Sequence, residues 1–372
     1  MAKPTSSQCN LGCRYCFYLE KERQPRMDDR TLERFIQQHI AAQPGNIVEF
    51  AWQGGEPTLA GLDFYRKVVE LQQRYGNGKH IQNSLQTNGI LLSDEWCQFL
   101  RNHGWLVGIS IDGPADLHDH YRVTQSGKPT HQKVAQAISR LRAWGVEFNL
   151  LVVINALNAQ YPERMYRYLT SLGTPFIQFI PLVEQDAEGN HGPASVPAAA
   201  WGKFLTTVFD LWVMKDIGQI FIQIFDSTLG VWSGHAAQMC SLAETCGHAF
   251  ALEANGDLYQ CDHFVYPAYL LGNLHRDSLA EINNSQTAQR FADHKRKSLS
   301  EECLRCDVRR LCQGDCPKHR QDNGKSVLCA GYRHFFDHTA PYMRVMRDLM
   351  AQRRSPMELM DILHSSHHGK SA

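Results

Sequence analysis

This sequence has no excess of charge of one sign, no long apolar run, and little cysteine in the middle of the chain. Lys plus Arg and Asp plus Glu both number 38 among the 372 residues. No global field therefore favours binding to nucleic acid or to an anionic membrane. No run of about 18 apolar residues occurs, and residues 1–8 contain no apolar segment of a signal peptide. We expect neither membrane insertion nor secretion, and hence a cytoplasmic protein.

Cysteine is unevenly distributed along the chain. Of the 12 cysteines, three lie near the start, eight lie between residues 240 and 329, and Cys97 lies between these two sets, where we expect a small buried side chain. Without a secretion signal, so many cysteines favour metal binding over disulfides. A cubane iron-sulfur cluster takes four thiolates. Eight cysteines therefore suffice for two clusters, whereas three leave one iron open to a substrate or cofactor.

Residues 1–232 alternate between apolar, β-branched segments and helical patterns, which predicts parallel strands joined by crossover helices. Ser93 and Thr130 are candidate helix N-caps. Such an α/β repeat fits an open or closed parallel barrel, with its chemistry at the carboxyl ends of the strands. The predicted strands are Ile47–Trp52, Ile81–Gln86, Leu106–Ile111, Phe148–Ile154, Phe176–Ile180 and Ile220–Phe225.

Polar motifs follow three of these strands. Gly54 and Gly55 would let the backbone approach a ligand closely, and Glu56 can accept a hydrogen bond from an ammonium group. Each motif alone is an ordinary turn, so the signal lies in their combination. The motifs are Gln53-Gly54-Gly55-Glu56-Pro57, Thr87-Asn88-Gly89 and Ser110-Ile111-Asp112-Gly113-Pro114.

The loop Cys9-x3-Cys13-x2-Cys16, with aromatic residues beside its last cysteine and Gly-Gly-Glu-Pro about 35 to 40 residues further on, resembles the radical S-adenosylmethionine superfamily. Within it, the chain is similar to the anaerobic sulfatase-maturating enzymes. The segments that carry this similarity are Cys16–Lys21, Trp52–Leu59, Ser110–Pro114, His118-Asp119 with Arg122, and Ile177–Pro181.

This resemblance implies a partial (β/α)6 TIM-like barrel over residues 1–232. It also implies S-adenosyl-L-methionine as the cofactor and a 4Fe-4S cluster on Cys9, Cys13 and Cys16. The residues that would line the cofactor and peptide site are Tyr18, Gln53, Gly54, Gly55, Glu56, Ser110, Arg122 and Leu182.

The last third of the chain is organised differently. Asn255-Gly256 predicts a hairpin between the strands Phe250–Ala254 and Asp257–Cys261. A short helical pattern covers Leu279–Phe291, and we expect the basic run His294–Lys297 to be a solvated helix face. So small a segment has little core, so metal sites would stabilise it. Spacing alone permits two zinc sites or two iron-sulfur clusters.

The run Cys303-x2-Cys306-x5-Cys312-x3-Cys316 with Cys329 resembles the SPASM domain, which carries two auxiliary clusters. We place this domain at residues 233–338, followed by a C-terminal helix and a disordered tail at residues 339–372. The resemblance implies three 4Fe-4S clusters in all. Its ligands for the nearer auxiliary cluster would be Cys240, Cys246, Cys261 and Cys316, and those for the farther one Cys303, Cys306, Cys312 and Cys329.

Asp262 stands where the maturase family carries its proposed general base, and His263 beside it is expected to be structural. The resemblance implies that a 5'-deoxyadenosyl radical removes a Cβ hydrogen from Cys or Ser in a sulfatase Cys/Ser-x-Pro-x-Arg motif. Asp262 would accept the side-chain proton and an auxiliary cluster the second electron, giving Cα-formylglycine. Expected partners are an unfolded or nascent sulfatase and a low-potential donor such as flavodoxin or ferredoxin.

Two alternatives stay open at this point. A radical peptide-crosslinking enzyme would form a thioether or carbon-carbon bond on a precursor peptide; such enzymes often carry an additional N-terminal peptide-recognition domain, whereas eight residues precede Cys9. A non-enzymatic zinc-binding adaptor would not require the motif from Gln53 to Pro57 at a strand end. Iron and sulfide analysis separates the adaptor from both enzymes.

Overall fold

The computed structural model describes residues 1–20, 24–184 and 191–368. Contacts between Cα atoms divide the chain into two compact units, which differ from the predicted division at residues 232 and 338. Unit 1 comprises residues 1–111, 118–149 and 248–292, and unit 2 comprises residues 112–117, 150–247 and 293–372.

Unit 1 contains three parallel strands in the spatial order β1-β2-β3. Their buried side chains alternate along β1, where Val48, Phe50 and Trp52 face the core. This alternation of inward side chains is the pattern expected of a strand. The strands are β1 (Ile47–Trp52), β2 (His80–Thr87) and β3 (Leu106–Ser110).

Helices α1 to α5 lie between Asp29 and Ala143. The hydroxyl of Ser93 accepts a hydrogen bond from the Trp96 N–H, which confirms the predicted cap. Thr130 precedes its helix as predicted, but its side chain makes no capping hydrogen bond. The helices are α1 (Asp29–Ala42), α2 (Leu62–Tyr75), α3 (Asp94–Asn102), α4 (Ala115–Tyr121) and α5 (His131–Ala143).

Strand β4 (Phe148–Ile154) continues into unit 2, where it pairs in parallel with β5 (Phe176–Pro181), and β5 pairs with β6 (Phe221–Ile222). The predicted strand Ile220–Phe225 is wrong beyond Ile222. Its last residues begin a helix because buried side chains recur there at helical spacing. The helices of this region are α6 (Pro162–Thr170), α7 (Ala198–Lys215) and α8 (Gln223–Trp232).

The predicted hairpin is confirmed within unit 1, with shorter strands and a third strand that the sequence pattern did not predict. Strands β7 (Ala251–Leu252), β8 (Asp257–Tyr259) and β9 (Leu270–Asn273) form an antiparallel sheet. Cys261 lies beyond β8 rather than at its end. It precedes a single turn of 3-10 helix, Asp262–Phe264.

The remaining helices lie between Leu279 and His368. Residue 338 lies inside a long helix. Within residues 339–372, where a helix and a disordered tail are expected, the chain is helical as far as His368, and residues 369–372 lie outside the described residues. The predicted domain boundaries stay predictions. Buried Leu359 anchors this last helix. The helices are α9 (Leu279–Asn283), α10 (Gln286–Lys297), α11 (Glu301–Leu304), α12 (Arg309–Cys312), α13 (Cys329–Ala351) and α14 (Glu358–His368). Across the described ranges, no helix is both long and apolar enough to span a membrane.

Candidate active site

The segment that leads to Cys9 is held between β1 and β7. The Ala2 N–H donates to the Ala51 carbonyl and the Lys3 N–H to the Leu252 carbonyl, each at 2.8 Å. Ala2 therefore bridges the parallel strands and the hairpin within unit 1. This arrangement brings the residues after β8 beside the start of the cysteine loop.

Gly54 and Gly55 make room for this segment. The Gly55 N–H donates to the Ser6 carbonyl at 2.7 Å, and a Cβ atom on Gly55 would lie 2.1 Å from the Gln8 oxygen. Gly54 has a φ of +135°, a conformation that side chains disfavour. We expected these glycines to approach a ligand. In the structure, the backbone of Ser6 to Gln8 approaches them closely, and their contact with the cofactor stays a prediction.

The carboxylate of Glu56 is fully buried and joins the loop after β1 to the motif after β2. It accepts hydrogen bonds from the Thr58 N–H (3.0 Å), the Thr58 and Thr87 hydroxyls (2.5 and 2.7 Å) and the Asn88 N–H (2.8 Å). Burial raises the pKa of Glu56, and these hydrogen bonds only partly oppose that effect. Both carboxylate oxygens of Glu56 thus accept hydrogen bonds from nearby protein groups, and contact with a cofactor ammonium stays a prediction.

Cys9, Cys13 and Cys16 form a half-buried loop. The Cys16 N–H donates to the Cys13 carbonyl at 3.1 Å, and the Leu11 N–H donates to the Cys9 sulfur at 3.4 Å. Burial raises the pKa of Cys9 to about 12, and the charges of Cys13 and Cys16 add to this. Iron would release these protons by binding the thiolates. Three clustered thiols and an N–H directed at sulfur suit a cluster with one open iron.

Asp262 is held by a buried lysine. The ammonium of Lys3, whose side chain is 2% exposed, donates to Oδ1 of Asp262, whose side chain is 27% exposed. Burial would raise the pKa of Asp262. The positive charges of Lys3 and His263, with hydrogen bonds from Lys3 and Gln53, outweigh burial and hold the pKa below its usual value. Asp262 is therefore a carboxylate at neutral pH and can accept a proton.

Tyr18 lies next to this ion pair. The Lys3 ammonium is 4.1 Å from the centroid of the Tyr18 ring, and the Tyr18 hydroxyl donates to the buried Glu253 carboxylate. A cation over an aromatic face is favourable, so the ring also fixes the lysine. The sequence pattern did not predict the role of Lys3, since nothing in Lys3-Pro4 distinguishes a buried lysine from a surface one.

Arg122 is a buried cation rather than a surface helix residue. It follows α4, is 7% exposed, and its Nη1 donates to the Tyr15 hydroxyl at 2.9 Å. The Thr130 hydroxyl donates to the Arg122 carbonyl at 2.6 Å, so Nε2 of His118, 3.1 Å away, must donate to Thr130. Burial, followed by the charges of Arg122 and His131, lowers the pKa of His118 to about 2.

The other predicted cofactor residues divide between the two units. Gln53, which is 8% exposed, and half-buried Ser110 at the end of β3 lie in unit 1 with Asp262 and the cysteine loop. Leu182 lies in unit 2, where its N–H donates to the Ile154 carbonyl at 2.8 Å. The cofactor contacts of all three stay predictions.

The auxiliary cysteines of unit 2 form two groups. Burial raises the pKa of Cys312 to about 12, with further contributions from Asp315, Cys329 and Cys303. Burial also raises the pKa of Cys329, and Cys303 and Cys306 add to this. These four thiols are the predicted ligands of the farther cluster. Cys240 and Cys246 interact electrostatically with each other, and both of them and Cys316 interact with Lys295. The fourth predicted ligand of that cluster, Cys261, belongs to unit 1, so this assignment stays a prediction.

The donors available in this region are thiols, the side chains that bind iron-sulfur clusters. Among residues 1–20, 24–184 and 191–368, no three His, Cys, Asp or Glu side chains converge closely enough to hold one metal ion. A zinc ion needs its sulfur ligands at about 2.3 Å, whereas a cubane binds each thiolate through a different iron. By number and chemistry, three thiols in the N-terminal loop and eight in the SPASM region match one cluster with an open iron and two clusters on four thiolates each.

Comparison with known proteins defines the class. The model of the radical SAM superfamily matches residues 4–169, and that of the SPASM iron-sulfur cluster-binding domain matches residues 240–307. The protein is a radical SAM enzyme with an auxiliary iron-sulfur domain. Such enzymes use S-adenosyl-L-methionine with a 4Fe-4S cluster, and SPASM domains bind auxiliary clusters.

Relatives narrow this class to a family. The serine-type anaerobic sulfatase-maturating enzyme of Bacteroides thetaiotaomicron is 44% identical, covering 98% of this chain and 94% of the relative. The cysteine-type enzyme of Clostridium perfringens is 35% identical, with coverages of 92% and 96%. The solved structure of native anSMEcpe with bound AdoMet and Cp18Cys peptide matches with a TM-score of 0.87 at 33% identity, covering 93% and 98%. The chain belongs to the family of anaerobic sulfatase-maturating enzymes. The predicted α/β barrel followed by a SPASM domain is thereby confirmed.

Proposed function

We propose that this enzyme oxidises a cysteine or serine side chain of a sulfatase polypeptide to Cα-formylglycine. The observation that carries the proposal is the ion pair between Lys3 and Asp262 in the unit that contains the Cys9–Cys16 loop. A general base must lie within reach of the reacting side chain and must be unprotonated. The lysine provides both the position and the charge state of this carboxylate.

Each step of the reaction can be assigned to residues of this protein. When bound, S-adenosylmethionine and its cluster supply the radical chemistry that removes a hydrogen atom from the substrate Cβ. Cys9, Cys13 and Cys16 would hold that cluster. Asp262 takes the proton from the substrate thiol or hydroxyl, and the cysteines of the SPASM region would hold the acceptor of the remaining electron. Hydrogen atom, proton and electron together make a two-electron oxidation. Serine gives the aldehyde directly, whereas cysteine gives a thioaldehyde that water converts to the aldehyde with release of hydrogen sulfide.

The partners follow from this chemistry. We propose an unfolded or nascent sulfatase with a Cys/Ser-x-Pro-x-Arg motif as substrate, because the side chain must enter a site closed to solvent. The match to a neighbour solved with a bound peptide supports this substrate class. A low-potential donor such as flavodoxin or ferredoxin would supply electrons, and the reaction would take place in the cytoplasm.

Mass spectrometry of two matched peptides tests the proposal. One carries Cys and the other Ser before x-Pro-x-Arg, and each is incubated anaerobically with reconstituted enzyme, dithionite and S-adenosylmethionine. Conversion to the formylglycine mass is expected, and Cys13→Ala should abolish both this product and 5'-deoxyadenosine. Relatives named serine-type and cysteine-type reach 44% and 35% identity, so both peptides are required. Release of 5'-deoxyadenosine with both peptides unchanged would favour a crosslinking enzyme.

A further inference from the structure

Lys295, which lies in the basic run expected to be solvent-exposed, is 0% exposed. Its ammonium donates to the carbonyl oxygens of Cys240 at 2.7 Å, Ser241 at 2.8 Å and Ala243. A lysine has three N–H donors, and all of them are used on neutral acceptors. In the part of the chain that the structure describes, no carboxylate forms an ion pair with this ammonium.

Arg320 is a second buried cation beside the first. It is 9% exposed, and its Nη1 donates to the Lys295 carbonyl at 2.6 Å and to the Ser298 hydroxyl at 3.0 Å. Its Nε donates to the Gly314 carbonyl at 2.8 Å. These acceptors are neutral too, so two positive charges share one buried region of unit 2.

Two buried cations with neutral acceptors keep much of their desolvation penalty unless an anion lies nearby. The buried carboxylate of this region, Asp315, accepts hydrogen bonds from His319 at 2.9 Å and from Ser326 at 2.8 Å. One carboxylate balances only one of the two positive charges. The thiols of Cys246 and Cys316 interact electrostatically with both cations, and the thiol of Cys303 also interacts with Arg320.

We propose that Lys295 and Arg320 are the counter-charges of an auxiliary iron-sulfur cluster and that they favour its reduced state. A cluster on four thiolates is negatively charged, and reduction adds one more negative charge. A nearby cation stabilises the added charge strongly, because the buried surroundings screen it poorly. This inference rests on the proposed function for the source of the electron: the substrate radical loses one electron, its proton goes to Asp262, and the cluster gains that electron.

A redox titration followed by electron paramagnetic resonance tests the inference in the full chain. Cys9, Cys13 and Cys16 are replaced by alanine so that only the auxiliary clusters contribute. Lys295→Met should lower the ratio of reduced to oxidised cluster at a fixed potential at least tenfold, about 59 mV in midpoint potential for a one-electron couple. Iron and sulfide contents should stay unchanged.

The matched control is Lys297→Met on the same helix. The Lys297 side chain is 65% exposed and pairs with Asp293 at 2.8 Å, so its removal should leave the midpoint unchanged. Full iron content with an unshifted midpoint in Lys295→Met would overturn the proposal. If Lys295→Met loses iron, recovery of iron in Lys295→Arg supports a charge requirement, whereas continued loss refutes it.

Arg320→Gln keeps hydrogen-bond donors but removes the positive charge of the side chain. It provides a second test of the midpoint potential if Lys295→Met does not fold. It should lower the midpoint in the same direction, and an unchanged value contradicts the inference. The titration contains no peptide substrate. An unshifted midpoint potential would therefore contradict this inference alone, whereas the absence of formylglycine in the peptide assay would contradict the proposed function.

Discussion

The ammonium of Lys3 donates to the carboxylate of Asp262, a residue 259 positions further along the chain. The resemblance to the maturase family indicates Asp262, but no local sequence motif indicates Lys3. Ala2 positions the lysine by bridging β1 and β7, and the Tyr18 ring fixes it from another side. The ion pair keeps the carboxylate ionised and immobile, two properties that a general base requires.

Asp262→Asn should retain release of 5'-deoxyadenosine and lose formylglycine. An amide keeps the shape of the side chain but cannot take the substrate proton, and general base catalysis contributes about 10²–10⁴-fold. We expect a loss of product of about 10²-fold or more per 5'-deoxyadenosine, measured by chromatography and mass spectrometry on the same sample. Asp63→Asn, at a side chain 93% exposed, is the control and should behave as the unmodified enzyme. Full activity of Asp262→Asn would show that the base is another group.

Lys3→Met should also retain release of 5'-deoxyadenosine and form less formylglycine. The yield of formylglycine per 5'-deoxyadenosine should fall by about tenfold, a smaller loss than in Asp262→Asn. The Asp262 carboxyl group stays present, yet it loses the donor that orients it and the positive charge that favours its ionised form. Lys3→Arg should recover part of the coupling because it keeps the charge. A purely structural lysine would instead lower both products together, with no recovery by arginine. Lys67→Met, at an exposed ion pair with Asp29, is the control.

The strands could be predicted where apolar and β-branched residues dominate a short segment, and both Ile47–Trp52 and Phe148–Ile154 have the bounds that the sequence predicts. Ile220–Phe225 failed because a short apolar run fits a strand or a buried helix equally well. The buried cations could not be predicted. Lys3 and Lys295 lie in polar segments whose composition matches a solvated surface, and only long-range contacts distinguish them.

Gly55→Ala should lose the cluster at Cys9, Cys13 and Cys16 while the auxiliary clusters remain. The new methyl group would lie 2.1 Å from the Gln8 carbonyl oxygen, which must then shift, and Cys9 is the next residue. Iron content should fall, and the spectroscopic change on adding S-adenosylmethionine should disappear. Gly45→Ala is the matched control, because a Cβ there meets no atom within 4 Å. Normal iron content in Gly55→Ala would mean that the loop tolerates the displacement.

His118→Gln should make the enzyme less sensitive to acid. The pKa of buried His118 is lowered to about 2 from an ordinary value of 6.5, so below pH 6.5 the unfolded chain binds a proton that the folded chain does not. Stability therefore falls as the pH decreases from 6.5 towards 2, by at most about 1.4 kcal/mol per pH unit. Glutamine cannot be protonated, yet it can still donate to the Thr130 hydroxyl.

The measurement is the melting temperature at pH 7.5 and pH 5.5, at equal iron content. The drop on acidification should be smaller in His118→Gln than in the unmodified enzyme by about 2–4 °C, the shift expected for a difference of about 1 kcal/mol. His103→Gln, at an exposed histidine, should leave the drop unchanged. Equal drops in all three proteins would mean that His118 is protonated in the fold. Nε2 of the protonated ring would then still donate to the Thr130 hydroxyl, which would still donate to the Arg122 carbonyl.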